Sequence, residues 1–148
     1  MHWPAIQTLI PHAGSMLLLD GVVDHAEAHT ECRFVPRPDS PFGDANGDTP
    51  PWIAIEYMAQ CAAAHGGLAR VSSTSPPPVG FLVGTRRFRF SAEPLRCGEP
   101  HRVRATGAGS SGGLHVFDCV IRREGSAADL ATARIQVYVT SPEALPRD

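Results

Sequence analysis

Between Trp52 and Ala64 almost every position is apolar, and only Glu56 and Gln60 interrupt the run. Pro51 suits a first helical turn, Asp48 or Thr49 can cap it, and Gly66-Gly67 offers a left-handed stop, so the run reads as a helix over about Pro51 to Arg70. A surface helix keeps one wet, polar face; this one has none, so protein must surround it. The run is also shorter than the ~20 residues of a membrane-spanning helix. What surrounds it has to come from the rest of the same short chain.

That remainder reads mostly as strand. Met16 to Val23 and Ala28 to Val35 make a hairpin before the helix. Val79 to Phe90, Pro100 to Thr106, Leu114 to Arg123 and Leu130 to Thr140 follow it, with turns at Gly107 to Gly113 and at Glu124-Gly125-Ser126. Two strands, a buried helix and four strands give an α+β fold in which an antiparallel sheet of about six strands wraps a long central helix. Trp3 to Ile10 suggests a short helical turn. Pro36 to Pro51 is a long irregular loop, a candidate site wall or lid, and Ser72 to Pro78 reads as a surface linker.

Composition supports one core and narrows the partners. The chain has 148 residues, 43% hydrophobic and 19% charged, which fits a single domain over residues 1–148. A formal net charge of -2 gives no reason to expect nucleic acid or an anionic membrane as partner. Cys32, Cys61, Cys97 and Cys119 stand singly, so buried free thiols are expected, with no disulfide framework, no metal site and no cofactor. Met1-His2-Trp3-Pro4 lacks the features of a secretory signal, and a cytoplasmic protein is expected.

Glu56 and Gln60 lie four residues apart, one above the other on one helix face. A carboxylate among apolar neighbours pays for desolvation in its charged form, so it holds a proton more tightly and can give it to a leaving group. The competing reading is structural: a Glu bonded to backbone or to an Arg, or turned into a wet dimer seam.

Leu9-Ile10-Pro11-His12 with Met16-Leu17-Leu18-Leu19-Asp20 resembles the opening of β-hydroxyacyl-acyl carrier protein dehydratases. Ile55-Glu56-Tyr57-Met58-Ala59-Gln60 resembles their central-helix signature. Gly80-Phe81-Leu82-Val83-Gly84, Arg87-Phe88-Arg89-Phe90, Pro94 and Gly98-Glu99 are similar to the strand and turn that follow. The resemblance runs over residues 9–105 with its parts in order. It implies a hotdog fold and a homodimer, or a heterodimer with a second hotdog subunit, taking acyl-pantetheine thioesters on acyl carrier protein. It further implies that Glu56 protonates the departing 3-hydroxyl, that Gln60 orients it, and that backbone N–H groups near Trp52 and Ile53 face the thioester oxygen.

One part of the pattern is missing. The family's catalytic His precedes the helix in a His-Phe-Pro loop, and Asp39-Ser40-Pro41-Phe42-Gly43 through Pro50-Pro51 holds no His. This combination looks most like a dehydratase-like subgroup associated with aryl polyene or related polyketide and fatty-acid pathways, where activity is shared with a second subunit. His12 is the candidate replacement base, against the plainer reading of a loop His bonded to backbone. Asp44, Asn46 and Asp48 are weaker polar candidates from the loop. His65, nine residues past Glu56, should point away from it and serve in helix-end packing or capping. Arg86, Arg87, Arg89, Arg96, Arg102 and Arg104 fit either a docking patch for an acidic carrier or a solvated sheet surface, since strand alternation spreads them over both faces. Three functions remain open: a 3-hydroxyacyl-thioester dehydratase, a hotdog thioesterase, and a non-catalytic acyl-carrier-binding subunit.

Overall fold

Six strands curl around one helix in the computed structural model, which describes residues 2–71 and 78–140. The strands are β1 (Gly21–His25), β2 (His29–Phe34), β3 (Val79–Phe90), β4 (His101–Ser111), β5 (Leu114–Arg123) and β6 (Asp129–Thr140). All neighbours pair antiparallel in the order β1-β2-β4-β5-β6-β3, so β1 and β3 form the two edges. The helix α1 spans Ala54–Ala69 and continues from a 3-10 turn over Pro51–Ile53. The expected linker at Ser72 to Pro78 lies, but for Pro78, outside the described residues.

Alternation builds the core. In β4, His101, Val103 and Ala105 point inward and are fully buried, while Arg102 and Arg104 face out. Ala131, Ala133 and Ile135 of β6 and Cys32 and Phe34 of β2 add to the same inner face. Tyr57, Met58, Cys61 and Ala64 of α1 press onto it, and a side chain the size of Met58 is worth about 1.5–3 kcal/mol when fully buried. Tyr57 stacks on Phe34 with ring centroids 3.9 Å apart, and Phe34 stacks on His101 at 5.1 Å. Small residues let helix and sheet approach closely: Cys61 Sγ lies 3.3 Å from the Thr30 carbonyl oxygen and 3.5 Å from that of Val103. Burial pushes the Cys61 thiol well up and the Cys119 thiol to about 12, so both stay protonated and inert. Cys97 departs from the expected burial and is half-exposed.

Several local expectations are corrected. Met16 to Val23 is not one strand, because Gly14–Met16 forms a 3-10 turn, with Gly14 at φ 59°, and the ladder begins only at Gly21. The expected turn at Gly107 to Gly113 is strand as far as Ser111, with a bulge at Gly107–Gly109 and the reversal at Gly112-Gly113. Neither Asp48 nor Thr49 caps the helix. Thr49 exchanges both backbone hydrogen bonds with Leu95, and Asp48 Oδ1 accepts the Cys97 N–H at 2.8 Å. Gly66-Gly67 does not end α1, which runs on to Ala69.

Gly67 serves close packing instead. A Cβ there would land on the carbonyl oxygen of Leu9, in the N-terminal segment that crosses the helix, whereas a Cβ on Gly66 would meet open space. Gly67→Ala is therefore expected to destabilise the fold by about 1–3 kcal/mol in chemical denaturation at fixed protein concentration. Gly66→Ala should be neutral or stabilise by up to about 1 kcal/mol. Equal behaviour of the two variants would remove the backbone contact as the explanation.

Candidate active site

The sheet covers most of α1 but leaves one stripe open. Trp52 is 57% exposed, and Ile55, Glu56, Ala59 and Ala63, at spacings of three and four, are only half-buried. The expectation of a helix enclosed on all sides is thus corrected, because one chain's sheet does not close around it. Glu56 sits in the first turn of α1 on this open stripe. Its surroundings are half solvent and half protein, not the apolar enclosure expected of it.

His12 approaches the same place from the N-terminal segment. It is half-buried, and its Nδ1 is fully buried without a hydrogen-bond partner among the described residues. Burial pulls its pKa below the usual value, and the nearby Glu56 carboxylate pulls it partly back up. The imidazole is therefore neutral at pH 7 and electrostatically coupled to Glu56. With Nδ1 walled off, Nε2 is the nitrogen left to exchange protons with a bound molecule.

Gln60 explains how His12 is held. Its side chain is 1% exposed, its Nε2 donates to the Met16 carbonyl at 2.7 Å, and its Oε1 accepts the Leu18 N–H at 3.0 Å. Both ends of the amide are thus spent on backbone, in a clamp on residues 16–18. That clamp fixes the 3-10 turn two residues beyond His12. One helix face therefore carries the carboxylate and pins the segment that carries the imidazole.

The helix start does less than expected. The Ile53 N–H donates to the Pro50 carbonyl at 3.0 Å and the Ala54 N–H to Pro51, so the 3-10 turn consumes donors that were expected to be free for a thioester oxygen. Ile53 packs partly buried against the core. Asp44 accepts the N–H groups of Asn46 and Asp48 at 2.8 and 3.1 Å, which makes it a loop organiser.

His65 belongs to a second cluster at the other end of α1, which sequence reasoning missed apart from the helix-end placement. The buried Thr30 hydroxyl lies 2.7 Å from Nδ1 of both His25 and His65, so it donates its one proton to one ring and accepts from the other. The two rings are 5.2 Å apart, and His29 Nε2 lies 2.8 Å from Asp24 Oδ2 beside them. The signal was available only as three histidines scattered through the sequence, with nothing to say that they meet.

This architecture, an antiparallel sheet in the order 1-2-4-5-6-3 around one helix, defines a hotdog-fold protein. The profile of the ApeP-like dehydratases, described as ApeP dehydratase, matches residues 4–146, and the chain belongs to that family, a dehydratase family of aryl polyene biosynthesis. A chain of the dehydratase heterocomplex ApeI:P from Xenorhabdus doucetiae superposes with a TM-score of 0.87 at 25% identity, over 96% of this chain and 95% of that one. Zebra fish thioesterase superfamily member 2 gives a TM-score of 0.66 at 10% identity over 92% and 93% of the two chains. The E. coli PaaI protein gives 0.60 at 11% over 80% and 81%. These last two likenesses show the fold alone. No curated protein matches the sequence. Among the described residues no helix is long and apolar enough to cross a membrane.

Burial holds the pKa values of His12, His65 and His101 below the ordinary 6.5. A folded pKa below the unfolded one means that the unfolded chain binds protons first. Stability should be complete above about pH 6.5 and fall as the pH drops below it through the folded values. Denaturant midpoints at pH 8 and pH 5.5 measure this, and an unchanged or higher midpoint at pH 5.5 would contradict it.

Proposed function

We propose that this chain removes water from 3-hydroxyacyl thioesters carried on acyl carrier protein, with His12 and Glu56 as the working pair and a second hotdog subunit completing the site. The observation that carries the reading is the neutral, partly buried imidazole coupled to a carboxylate on the open helix stripe. His12 takes the place of the His absent from the loop before α1.

The chemistry balances with these two groups. His12 Nε2 takes the proton from C2, the released electron pair forms the C2–C3 double bond, and the C3–O bond breaks. Glu56, entering the cycle as the carboxylic acid, protonates the leaving hydroxyl, which departs as water and leaves the carboxylate. The imidazolium then returns its proton to the Glu56 carboxylate, which restores both groups. Gln60 keeps the imidazole in position through residues 16–18.

The open edge supports the partner. β3 carries exposed Phe81, Leu82 and Val83, and an apolar edge strand of this kind is stable when another strand pairs with it. The same partner would cover Trp52 and the half-buried helix stripe. The solved ApeI:P assembly is a heterocomplex, and this favours a second, different hotdog subunit over a second copy.

Mass spectrometry of 3-hydroxyacyl and 2-enoyl acyl carrier protein, with the chain alone and with its partner, tests the reading. Glu56→Gln and His12→Ala should each keep the fold and lower turnover by about 10²–10⁴. Turnover that is unchanged in either variant removes that residue from the chemistry.

A further inference from the structure

The C-terminal end of α1 helps hold the first residues of the chain, and it does so with imidazoles, whose charge changes near neutrality. Among the described residues, residues 3–12 make no hydrogen bond outside their own turns: the Thr8 N–H and hydroxyl donate to the Ala5 carbonyl and the Leu9 N–H donates to that of Ile6. A segment without long-range backbone bonds opens more readily than a paired strand. Side chains and close contacts attach it instead. Ile6 and Ile10 are buried in the core, the Leu9 backbone crosses α1 at Gly67, and Trp3 meets the His25 ring edge to face with centroids 5.8 Å apart. The last two contacts fall on one cluster, because Thr30 bridges His25 to His65, two residues before Gly67 on α1.

The bridge accepts one added proton and not two. Thr30 is fully buried, and its Oγ1 lies 2.7 Å from Nδ1 of each ring. With both rings neutral, one Nδ1–H donates to the hydroxyl oxygen and the hydroxyl donates to the other Nδ1, so the bridge is satisfied. A single added proton goes to an Nε2 and leaves this pattern intact. When both rings are charged, both Nδ1 atoms are donors and the hydroxyl hydrogen loses its acceptor in a buried place. Two cations then face each other with centroids 5.2 Å apart.

No carboxylate bonds either ring among the described residues. The Asp24 carboxylate of β1 is bonded to His29 at 2.8 Å, which holds its pKa below the usual value, and Arg104 of β4 adds to the same effect. His29 follows the alternation of β2 and faces away from the inward Thr30. Glu27, in the turn between β1 and β2, has an exposed side chain. From β5, His115 brings a further imidazole to the cavity of about 190 Å³ that His65 and Phe117 line. The N-terminal segment contributes only the uncharged Trp3 ring. Burial pulls the His65 pKa down, the charges of His25 and His29 pull the same way, and the backbone carbonyls of Glu27 and His29 oppose them.

We propose that His25, Thr30 and His65 form an acid-sensitive latch, which ties β1, β2 and α1 together while at most one of the two imidazoles is charged and releases residues 3–12 when both are. His12 lies three residues past the Leu9 crossing, so the latch also positions the base of the reaction proposed above, and this part of the inference rests on that reading. His65 binds a proton less readily in the closed latch than in the released chain. The latch is therefore fully closed above about pH 6.5 and opens as the pH falls below it.

Hydrogen exchange at pH 8 and pH 5.5, corrected for intrinsic rates and measured on the assembly with its partner subunit, tests the latch. Between these two conditions, wild-type protection in residues 3–12 should fall by about tenfold more than in the β4–β5 ladder. His25→Asn keeps an amide that can bond Thr30 but takes no charge, and it should abolish this extra fall. His65→Asn should do the same from the other side of the bridge, so that one variant decides where the other fails to fold. In His25→Asn the His65 imidazole C–H signals should titrate at higher pH, because the neighbouring charge is gone. With a 3-hydroxyacyl thioester, the acid limb of wild-type kcat/KM should be steeper than one proton, and that of His25→Asn should show the single proton of His12. The latch is overturned by an extra fall that is equal in wild type and variants, by protection lost no more in the segment than in the ladder, or by an unchanged His65 midpoint. A one-proton limb in the wild type overturns the positioning of His12. If no such thioester is turned over at any pH, the proposed function fails, and the exchange result still decides the latch.

Discussion

A helix with no wet face has to be wrapped, and a single sheet of six strands does not reach all the way around it. Everything else in this protein follows from that shortfall. Tyr57, Met58, Cys61 and Ala64 find the inner face of the sheet, while Trp52, Ile55, Glu56, Ala59 and Ala63 are left at its margin. The uncovered stripe costs apolar exposure in the lone chain, and in return it is where a substrate or a partner can touch the helix. A sheet that closed completely would have been more stable and would have sealed Glu56 away from any substrate.

The fold was largely legible because its two periodicities are strong. An unbroken apolar run of helical length and four later segments of alternating residues admit few arrangements other than a sheet around a helix. β3 and β5 fall where the alternation places them. Legibility failed where tertiary contacts override local chemistry. Asp48 and Thr49 have good capping side chains, but Thr49 is held by a long-range pair with Leu95 and Asp48 by the Cys97 amide, so neither is free to cap. Gly66-Gly67 has the composition of a helix stop, yet Gly67 is needed where the Leu9 backbone crosses α1. The glycines from 107 to 113 read as a turn, and most of them lengthen a strand through a bulge.

The site was legible as residue types and not as geometry. Glu56 stands out in any reading of the helix, because it is a carboxylate in an apolar run. That His12 comes near enough to Glu56 to feel its charge depends on how the first residues cross the helix, which no periodicity encodes. Gln60 shows the same limit from the other side: its position one turn from Glu56 suggested an orienting neighbour, and its buried amide is bonded to the backbone of Met16 and Leu18. A buried amide without two partners is costly, so the side chain goes where both a donor and an acceptor are available.

These contacts explain how the segment that carries His12 is held against α1. Here the N-terminal segment is fixed to α1 twice, by the close approach at Gly67 and by the Gln60 clamp, and His12 lies between the two anchors in the sequence. Both anchors and the carboxylate belong to one rigid helix, so imidazole and carboxylate are referred to the same frame. In the loop from Pro36 to Pro51 the Asp44 and Asp48 carboxylates serve the loop's own turns and its tie to Cys97.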